Sequence, residues 1–326
     1  VLISQLMMIL ALLPLVFIEV LEVNWVMISL LTLHNTFVAI SDIAIDALAA
    51  DSLKEDQLAK ANGFMWGSKT LGRGLGMALA TSVFYAYGVN EGFAILICTM
   101  SLILLLPILS KELNHKAGHE AQPYKNRLTF NELVLGIRQS MLNRSAFAAI
   151  IFMLFANIGY GIFDVIYNEF YIKELGWNGE EIGYMRPYGM WLGGLIGLSA
   201  GLMTLYFRKR SLLLFFVIGQ AVVFLTASTL SYETSILLTS AVLIGVDAVD
   251  AGWSVLIFSI LMALCITQTS ATNFGIFMGF GNISMLIGNN IAPAILGFGD
   301  FTFAFTFAAL TLIPCLISGY YLTKET

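Results

Sequence analysis

Long apolar runs constrain this chain more than any other feature of its sequence. A helix that spans a bilayer needs about 20 mainly apolar residues. Ten segments reach that length, and in lipid only a helix or a closed barrel satisfies its own backbone hydrogen bonds. The pattern therefore predicts an all-α membrane protein. The ten segments are 1–20, 25–49, 63–88, 91–110, 145–172, 182–206, 211–231, 235–265, 273–299 and 301–322.

The composition and charge of the chain agree with burial in lipid. Hydrophobic residues make up 58% of it and charged residues 11%, whereas a soluble domain has about 25% charged residues. A net charge of −5 argues against a nucleic-acid partner. The three cysteines lie inside apolar runs, and no metal-binding or phosphate-binding motif occurs. We therefore expect no cofactor and no metal, with the lipid bilayer as the main surroundings.

Positive charge predicts the orientation of the segments, because cytoplasmic loops are enriched in Lys and Arg. If the first residue is cytoplasmic, twelve of the sixteen Lys and Arg fall in cytoplasmic loops. The opposite orientation would place those cations outside, so both ends are predicted to be cytoplasmic. The twelve are Lys54, Lys60, Lys111, Lys116, Lys125, Arg127, Arg138, Arg144, Arg208, Lys209, Arg210 and Lys324.

The stretch 111–144 divides the chain into two halves whose sequences are similar in places. It is the one long polar connection. The predicted helices of residues 1–110 come before it, and those of residues 145–326 come after it. A shift of 212 residues lays segment 63–88 on segment 273–299, with three glycines of each in register. Duplicated halves are common among transporters. Equal halves of six would make this chain a fragment of a twelve-helix protein, cut before its third helix.

Four stretches of the sequence carry motifs that are specific enough to compare with known families: VLISQLMMILAL, SDIAIDALAADSLKEDQLAKANGFMWGSKTLGRGLG, FDVIYNEFYIKELGWNGEEIG and LMALCITQTSATNFGIFMG. They resemble the AmpG-like permease group of the major facilitator superfamily. The loop GLMTLYFRKRS departs from the family pattern, because it keeps a basic cluster but lacks the family's Asp. The resemblance implies the major facilitator fold with ten of its twelve helices present, four before the cytoplasmic linker and six after it. It also implies that segments 25–49, 145–172 and 235–265 line a central cavity.

The activity that this resemblance implies is proton-linked transport of a small organic solute, with no enzymatic activity. The location that we expect is the bacterial inner membrane, and the expected state is a monomer. Muropeptide-like sugars fit the family analogy best, and amphipathic acids, siderophores and acyl-CoA compounds remain open. The partners are then the solute and protons.

Segment 235–265 carries the sharpest polar signal. Asp247 and Asp250 lie a dozen or more residues from either end of it, and an ionisable group at such depth is costly and typical of a functional site. Carboxylates in a low dielectric can take up and release protons near neutral pH, which makes both coupling candidates. The structural alternative is a pair neutralised by Arg186 or Lys69.

Segment 25–49 carries a second polar stripe. Asn35, Asp42 and Asp46 are spaced by seven and four residues, so they share a helix face. His34 beside them is a third proton-coupling candidate, because imidazole changes charge near neutral pH. The carboxylates could form a gate with Lys69 and Arg73, act on substrate or protons, or simply lie in water. The gate is the reading that we favour.

The remaining cavity candidates come from two other segments. Polar residues recur every three or four positions in 145–172, and lipid cannot accept such a stripe, so it faces protein or water. Substrate contact and helix–helix hydrogen bonding are equally good readings of it. With Asn35 these substrate-cavity candidates are Asn157, Tyr160, Asp164, Asn168 and Asn282.

Two functions from other classes remain as alternatives. A membrane prenyltransferase binds magnesium and diphosphate through paired Asp-rich motifs, which the two aspartate clusters imitate superficially. However, such a site needs its carboxylates at one depth near water, and here one cluster is at a helix end and the other is deep. A passive channel or scramblase needs no deep carboxylates at all.

Overall fold

The computed structural model describes residues 2–18, 25–52, 55–109, 138, 143–265 and 270–322. Within these ranges every regular element is helical, which confirms the predicted all-α class. The helices are α1 (Leu2–Leu12), α2 (Trp25–Ser52), α3 (Glu55–Tyr87), α4 (Val89–Leu109), α5 (Arg144–Ala156), α6 (Ile158–Lys173), α7 (Gly179–Met203), α8 (Lys209–Ala227), α9 (Ile236–Leu264), α10 (Ser270–Phe298), α11 (Phe301–Leu310) and α12 (Ile313–Leu322), with a 3₁₀ turn at Leu13–Val16.

Five regions of the described chain are long and apolar enough to cross a membrane. Two of them consist of consecutive helices, because the helical hydrogen bonding is interrupted near Asn157 and near Thr311. Two shorter apolar helices, Leu2–Val16 and Val89–Leu105, lie outside this set. The five regions are Trp25–Ile45, Arg144–Lys173, Lys209–Ala227, Ile236–Leu264 and Phe301–Leu322.

The chain forms two compact units. Unit 1 comprises residues 1–48 and 76–135, and unit 2 comprises 49–75 and 136–326. In unit 1, Asn90 at the start of α4 donates hydrogen bonds to the carbonyl oxygens of Leu15, Val16 and Ile18 at 3.3, 3.0 and 2.7 Å. That amide fixes the end of the 3₁₀ turn against α4. The predicted linker 111–144 lies almost wholly outside the described residues, so the predicted halves stay a prediction.

Unit 2 is held together by close helix contacts at glycines. A Cβ on Gly193 of α7 would lie 2.8 Å from the carbonyl oxygen of Asp247 on α9, and one on Gly161 of α6 would lie 2.7 Å from that of Met285 on α10. A Cβ on Gly67 of α3 would likewise lie 2.8 Å from the carbonyl oxygen of Gly194 on α7. Small residues let helices approach closely in lipid, and here they bring α9 against α7, α10 against α6 and α3 against α7.

Two connections meet at one end of unit 2. The first joins α6 to α7 and turns at Gly176, whose φ of +75° is a conformation that glycine adopts without strain. Asn178 then caps α7 reciprocally: its side chain accepts from Glu181 N at 2.8 Å, and its own N–H donates to the Glu181 carboxylate at 2.9 Å. The second connection, 228–235, leads into α9, where Ser235 is the N-cap.

Candidate functional site

The candidate site is built on the buried middle of α9. This helix has 29 residues, and most of its side chains from Val242 to Met262 are buried. Asp247 is among them, with 7% of its surface exposed. A carboxylate at that depth in an apolar helix needs compensation from neighbouring helices.

Arg186 of α7 supplies most of that compensation. Its side chain is itself buried, with 4% exposed, and Nε lies 3.3 Å from Oδ2 of Asp247. The other side of the guanidinium, Nη2, lies 2.6 Å from Oδ1 of Asp164 on α6. One cation therefore bridges two carboxylates from two helices. The fork geometry of arginine suits such a bridge better than the point charge of lysine.

Two tyrosines of α6 complete the surroundings of Arg186. The Tyr160 hydroxyl donates to Oδ1 of Asp247 at 2.5 Å and accepts from Arg186 Nη2 at 3.3 Å. The guanidinium carbon lies 4.1 Å from the ring centroid of Tyr167, which is a cation–π contact. Both oxygens of Asp247 thus have partners, and we call Tyr160, Asp164, Arg186 and Asp247 the Arg186 network.

Close backbone approach explains why Arg186 can reach Asp247. Gly189 and Gly193 lie one and two turns after Arg186 on α7, and both face α9. A Cβ on Gly189 would lie 3.0 Å from the Ile244 carbonyl oxygen. These two glycines therefore set the distance between the two buried charges.

Asp250 lies one turn from Asp247 but in a different environment. It is half-buried, and it makes no hydrogen bond or ion pair with any described residue. Arg73 of α3 attracts it electrostatically, and Asp247 and Asp164 repel it. Of the two carboxylates on α9, Asp250 is therefore the one whose charge is left without a bonded partner.

The polar stripe of segment 145–172 divides between structure and the network. Asn157 is hydrogen-bonded to α10 twice. Its backbone N–H donates to Ser284 Oγ at 3.0 Å, and its side-chain Nδ2 donates to the Gly281 carbonyl oxygen at 3.2 Å. Those bonds satisfy polar groups freed where α5 gives way to α6. Asn168 and Asn282 are exposed side chains. Tyr160 and Asp164 alone of the predicted stripe join the Arg186 network.

The predicted residues of α2 belong to unit 1. His34 Nδ1 donates to the Met8 carbonyl of α1 at 3.1 Å, whereas Asn35 is exposed and Asp42 half-buried. Asp46 lies on α2, but its side chain is outside the described residues. The predicted gate between these carboxylates and Lys69 or Arg73 stays a prediction.

Sequence reasoning left Arg186, Tyr167 and Ser284 out of the candidate site. Arg186 was considered as a neutralising partner of α9, and its position two turns into α7 beside Pro187 was a usable signal. The Tyr167 and Ser284 contacts depend on which faces of α6 and α10 meet, which no local pattern gives. No group of three or more His, Cys, Asp or Glu side chains that could hold a metal occurs within the described ranges.

Membrane-length apolar helices together with a buried charge network are typical of an integral membrane protein. The family comparison agrees: the model of the Major Facilitator Superfamily matches residues 1–288. The chain therefore belongs to the Major Facilitator Superfamily, whose members are typically transporters. No curated protein matches the chain.

Proposed function

We propose that this protein is a proton-coupled secondary transporter of the AmpG-like group, moving a small organic solute across the bacterial inner membrane by alternating access. The proposal places both ends of the chain in the cytoplasm and treats the protein as a monomer. Its main support is one observation: Arg186 bridges Asp164 and Asp247 inside unit 2, and a second carboxylate, Asp250, lies one turn along α9 from Asp247.

The energetic cost of that arrangement argues for function. A single Asp or Arg at the centre of a membrane helix costs about 2.5–3.5 kcal/mol on insertion scales, and pairing recovers only part of this cost. An apolar bundle of the same shape would avoid it. Groups kept at such a cost are typical of ion and substrate pathways.

We assign different tasks to the two carboxylates of α9. Asp247 is the anchor of Arg186, because both of its oxygens are already bonded. Asp250 is the proton carrier, because it is half-buried and has no bonded partner in the described structure. Protonation of Asp250 removes a negative charge that competes with Asp247 for the nearby cations, so the two protonation states favour different arrangements of α3, α7 and α9.

Solute would bind next to the Arg186 network. Asp164 has 39% of its side chain exposed while it holds Arg186, so this end of the network is open to a ligand. Tyr160 is the other predicted cavity residue within the network. A solute that displaces Asp164 from the guanidinium would couple its own binding to the charge balance that Asp250 controls.

Transport by the purified protein in liposomes tests this proposal. A pH dye inside the vesicles reports proton entry while muropeptide-like sugars and amphipathic acids are added in turn. We expect one solute class to drive proton entry, and Asp250→Asn to abolish proton-driven accumulation while solute exchange remains.

The matched control is Asp300→Asn. Asp300 is the N-cap of α11 and accepts from Phe303 N at 2.8 Å, and Asn caps helices equally well. Full accumulation by Asp250→Asn would remove Asp250 from the coupling role. Solute flux with no proton movement in the wild type would favour a passive channel, and magnesium-dependent product formation from prenyl diphosphates would favour the enzyme.

A further inference from the structure

A cavity at one end of unit 2 is separate from the Arg186 network. It has a volume of about 540 Å³ and lies where the α6–α7 and α8–α9 connections meet. Three aromatic residues and one carboxylate line it, together with small polar groups. The residues that matter here are Trp177, Glu181, Tyr184, Tyr232 and Thr234, and we call this cavity the aromatic pocket.

The lining combines ring surface with one negative charge. Tyr184 and Tyr232 are 41% and 78% exposed, so their rings are accessible to a ligand. The capping bond to Asn178 uses Oε2 of Glu181, and the other carboxylate oxygen has no hydrogen bond within the described residues. Aromatic faces and a carboxylate together are the surroundings that an organic ammonium ion prefers.

The charge around the aromatic pocket also favours a cation. Lys173 is the single Lys or Arg between Arg144 and Arg186, and none occurs between Arg210 and Cys265. Lys173 is already paired with Glu169 at 2.5 Å. The acidic side chains that remain near the two connections, Glu174, Glu180, Glu181 and Glu233, give this end of unit 2 a negative potential that concentrates cations.

From this geometry we infer that the aromatic pocket binds an organic ammonium ion, for which choline is the simplest probe. A neutral sugar would also stack on the rings, but it would gain nothing from the surrounding acidic charge. The pocket is built entirely from residues 175–239 and shares no residue with the Arg186 network, so the inference is independent of the proposed transport. Both a soluble amine and the ammonium group of a lipid headgroup carry the required chemistry.

Choline and its neutral carbon analogue 3,3-dimethylbutan-1-ol test the inference. The full-length protein is reconstituted in phosphatidylglycerol vesicles, and binding is measured by calorimetry and by saturation transfer to the ligand methyl protons. We expect choline to bind with a Kd on the order of 1 mM, since exposed cation–π contacts are individually weak, and the neutral analogue to bind at least about 10-fold more weakly. Equal binding of the two ligands would overturn the inference.

Variants of Glu181 separate the charge of the pocket from its fold. Glu181→Gln keeps an oxygen for the Asn178 cap but removes the charge, and we expect choline affinity to fall about 10-fold. Glu180→Gln on the same helical turn is the control: Glu180 does not line the pocket and adds only to the surrounding potential, so we expect it to weaken choline binding by no more than about twofold. Equal effects of the two substitutions would show that only general surface charge attracts choline, which contradicts a built site.

Variants of Tyr184 separate ring stacking from hydroxyl bonding. Tyr184→Phe keeps the ring face and should retain affinity within about twofold, whereas Tyr184→Leu should lose about 3- to 10-fold. If Phe weakens binding as much as Leu, the hydroxyl rather than the ring holds the ligand, and the cation–π assignment fails.

Phosphatidylethanolamine distinguishes the two sources of the ammonium group. If the natural occupant is a lipid headgroup, vesicles that contain this lipid should weaken choline binding in the wild type and leave the residual binding of Glu181→Gln unchanged. If it is a soluble amine, choline affinity should be the same in both kinds of vesicle. Either result supports an ammonium site, and absence of choline binding in both kinds refutes it.

Discussion

Helices α9 and α2 carry similar polar patterns in very different surroundings. Seventy-two per cent of the most apolar stretch of α9 is buried, compared with 6% of that of α2. The buried carboxylate Asp247 is bonded by Arg186 and Tyr160 from two other helices. On α2, His34 bonds to one backbone carbonyl, and Asn35, which the 212-residue shift aligns with Asp247, is exposed.

The difference shows what a polar residue inside an apolar helix requires. A buried charge needs a partner supplied by neighbouring helices, since its desolvation is otherwise uncompensated. An exposed amide or a half-buried imidazole needs at most one hydrogen bond. A polar residue in an apolar helix therefore depends on tertiary structure to the extent that it is charged and buried, and substitutions in the two helices should differ accordingly.

The largest effect is expected for Arg186→Met. This change leaves Asp247 buried without its cation, and breaking one partner of a buried pair costs about 3–5 kcal/mol. We expect a large drop in Tm by thermal unfolding in detergent, and partial recovery in Arg186→Met/Asp247→Leu, which removes both charges.

Arg210→Met is the matched control for that change. Arg210 stacks on Tyr320 with its guanidinium carbon 3.6 Å from the ring centroid, and loss of such a contact near the surface costs about 0.5–1 kcal/mol. Equal destabilisation by the two Arg→Met changes would contradict the special role of the Arg186 network.

A smaller effect is expected when α7 is pushed away from α9. In Gly193→Ala the new methyl group would lie 2.8 Å from the Asp247 carbonyl oxygen, and overpacking of this kind costs about 1–3 kcal/mol. The Tm should fall accordingly.

Gly279→Ala on α10 serves as its control, because a Cβ there meets no described atom within 4 Å. Its Tm should stay level or rise, as Ala favours the helix by up to about 1 kcal/mol. If the two variants have the same Tm, close approach of α7 and α9 does not set the Arg186–Asp247 distance.

The smallest effect is expected on α2. His34→Leu removes the hydrogen bond to Met8, whose net contribution is about 0.5–1.5 kcal/mol. His34→Gln keeps an N–H donor and should have a smaller effect still on the Tm. A loss with His34→Leu as large as that of Arg186→Met would show that α2 depends on tertiary partners as strongly as α9 does.

The sequence predicted the helices and the deep carboxylates but only part of the site. Apolar length predicted ten membrane segments, and five of them overlap a described region that is long and apolar enough to cross a membrane. The cost of charge in lipid singled out Asp247 and Asp250. The bridge from Asp164 through Arg186 to Asp247 depends on the relative rotation of α6, α7 and α9, which side-chain period alone does not give. Nor could local spacing show that Asp247 is bonded while Asp250, one turn away, is not.

Infrared spectroscopy of the membrane-embedded protein tests most directly whether Asp250 is the proton carrier. Protonated carboxyl groups and carboxylates absorb separately, so a pH titration detects each acidic group that exchanges a proton without knowledge of the solute. The account predicts that a titrating carboxyl band of the wild type persists in Asp300→Asn and is lost in Asp250→Asn. Persistence of that band in Asp250→Asn together with its loss in Asp247→Asn would contradict the account.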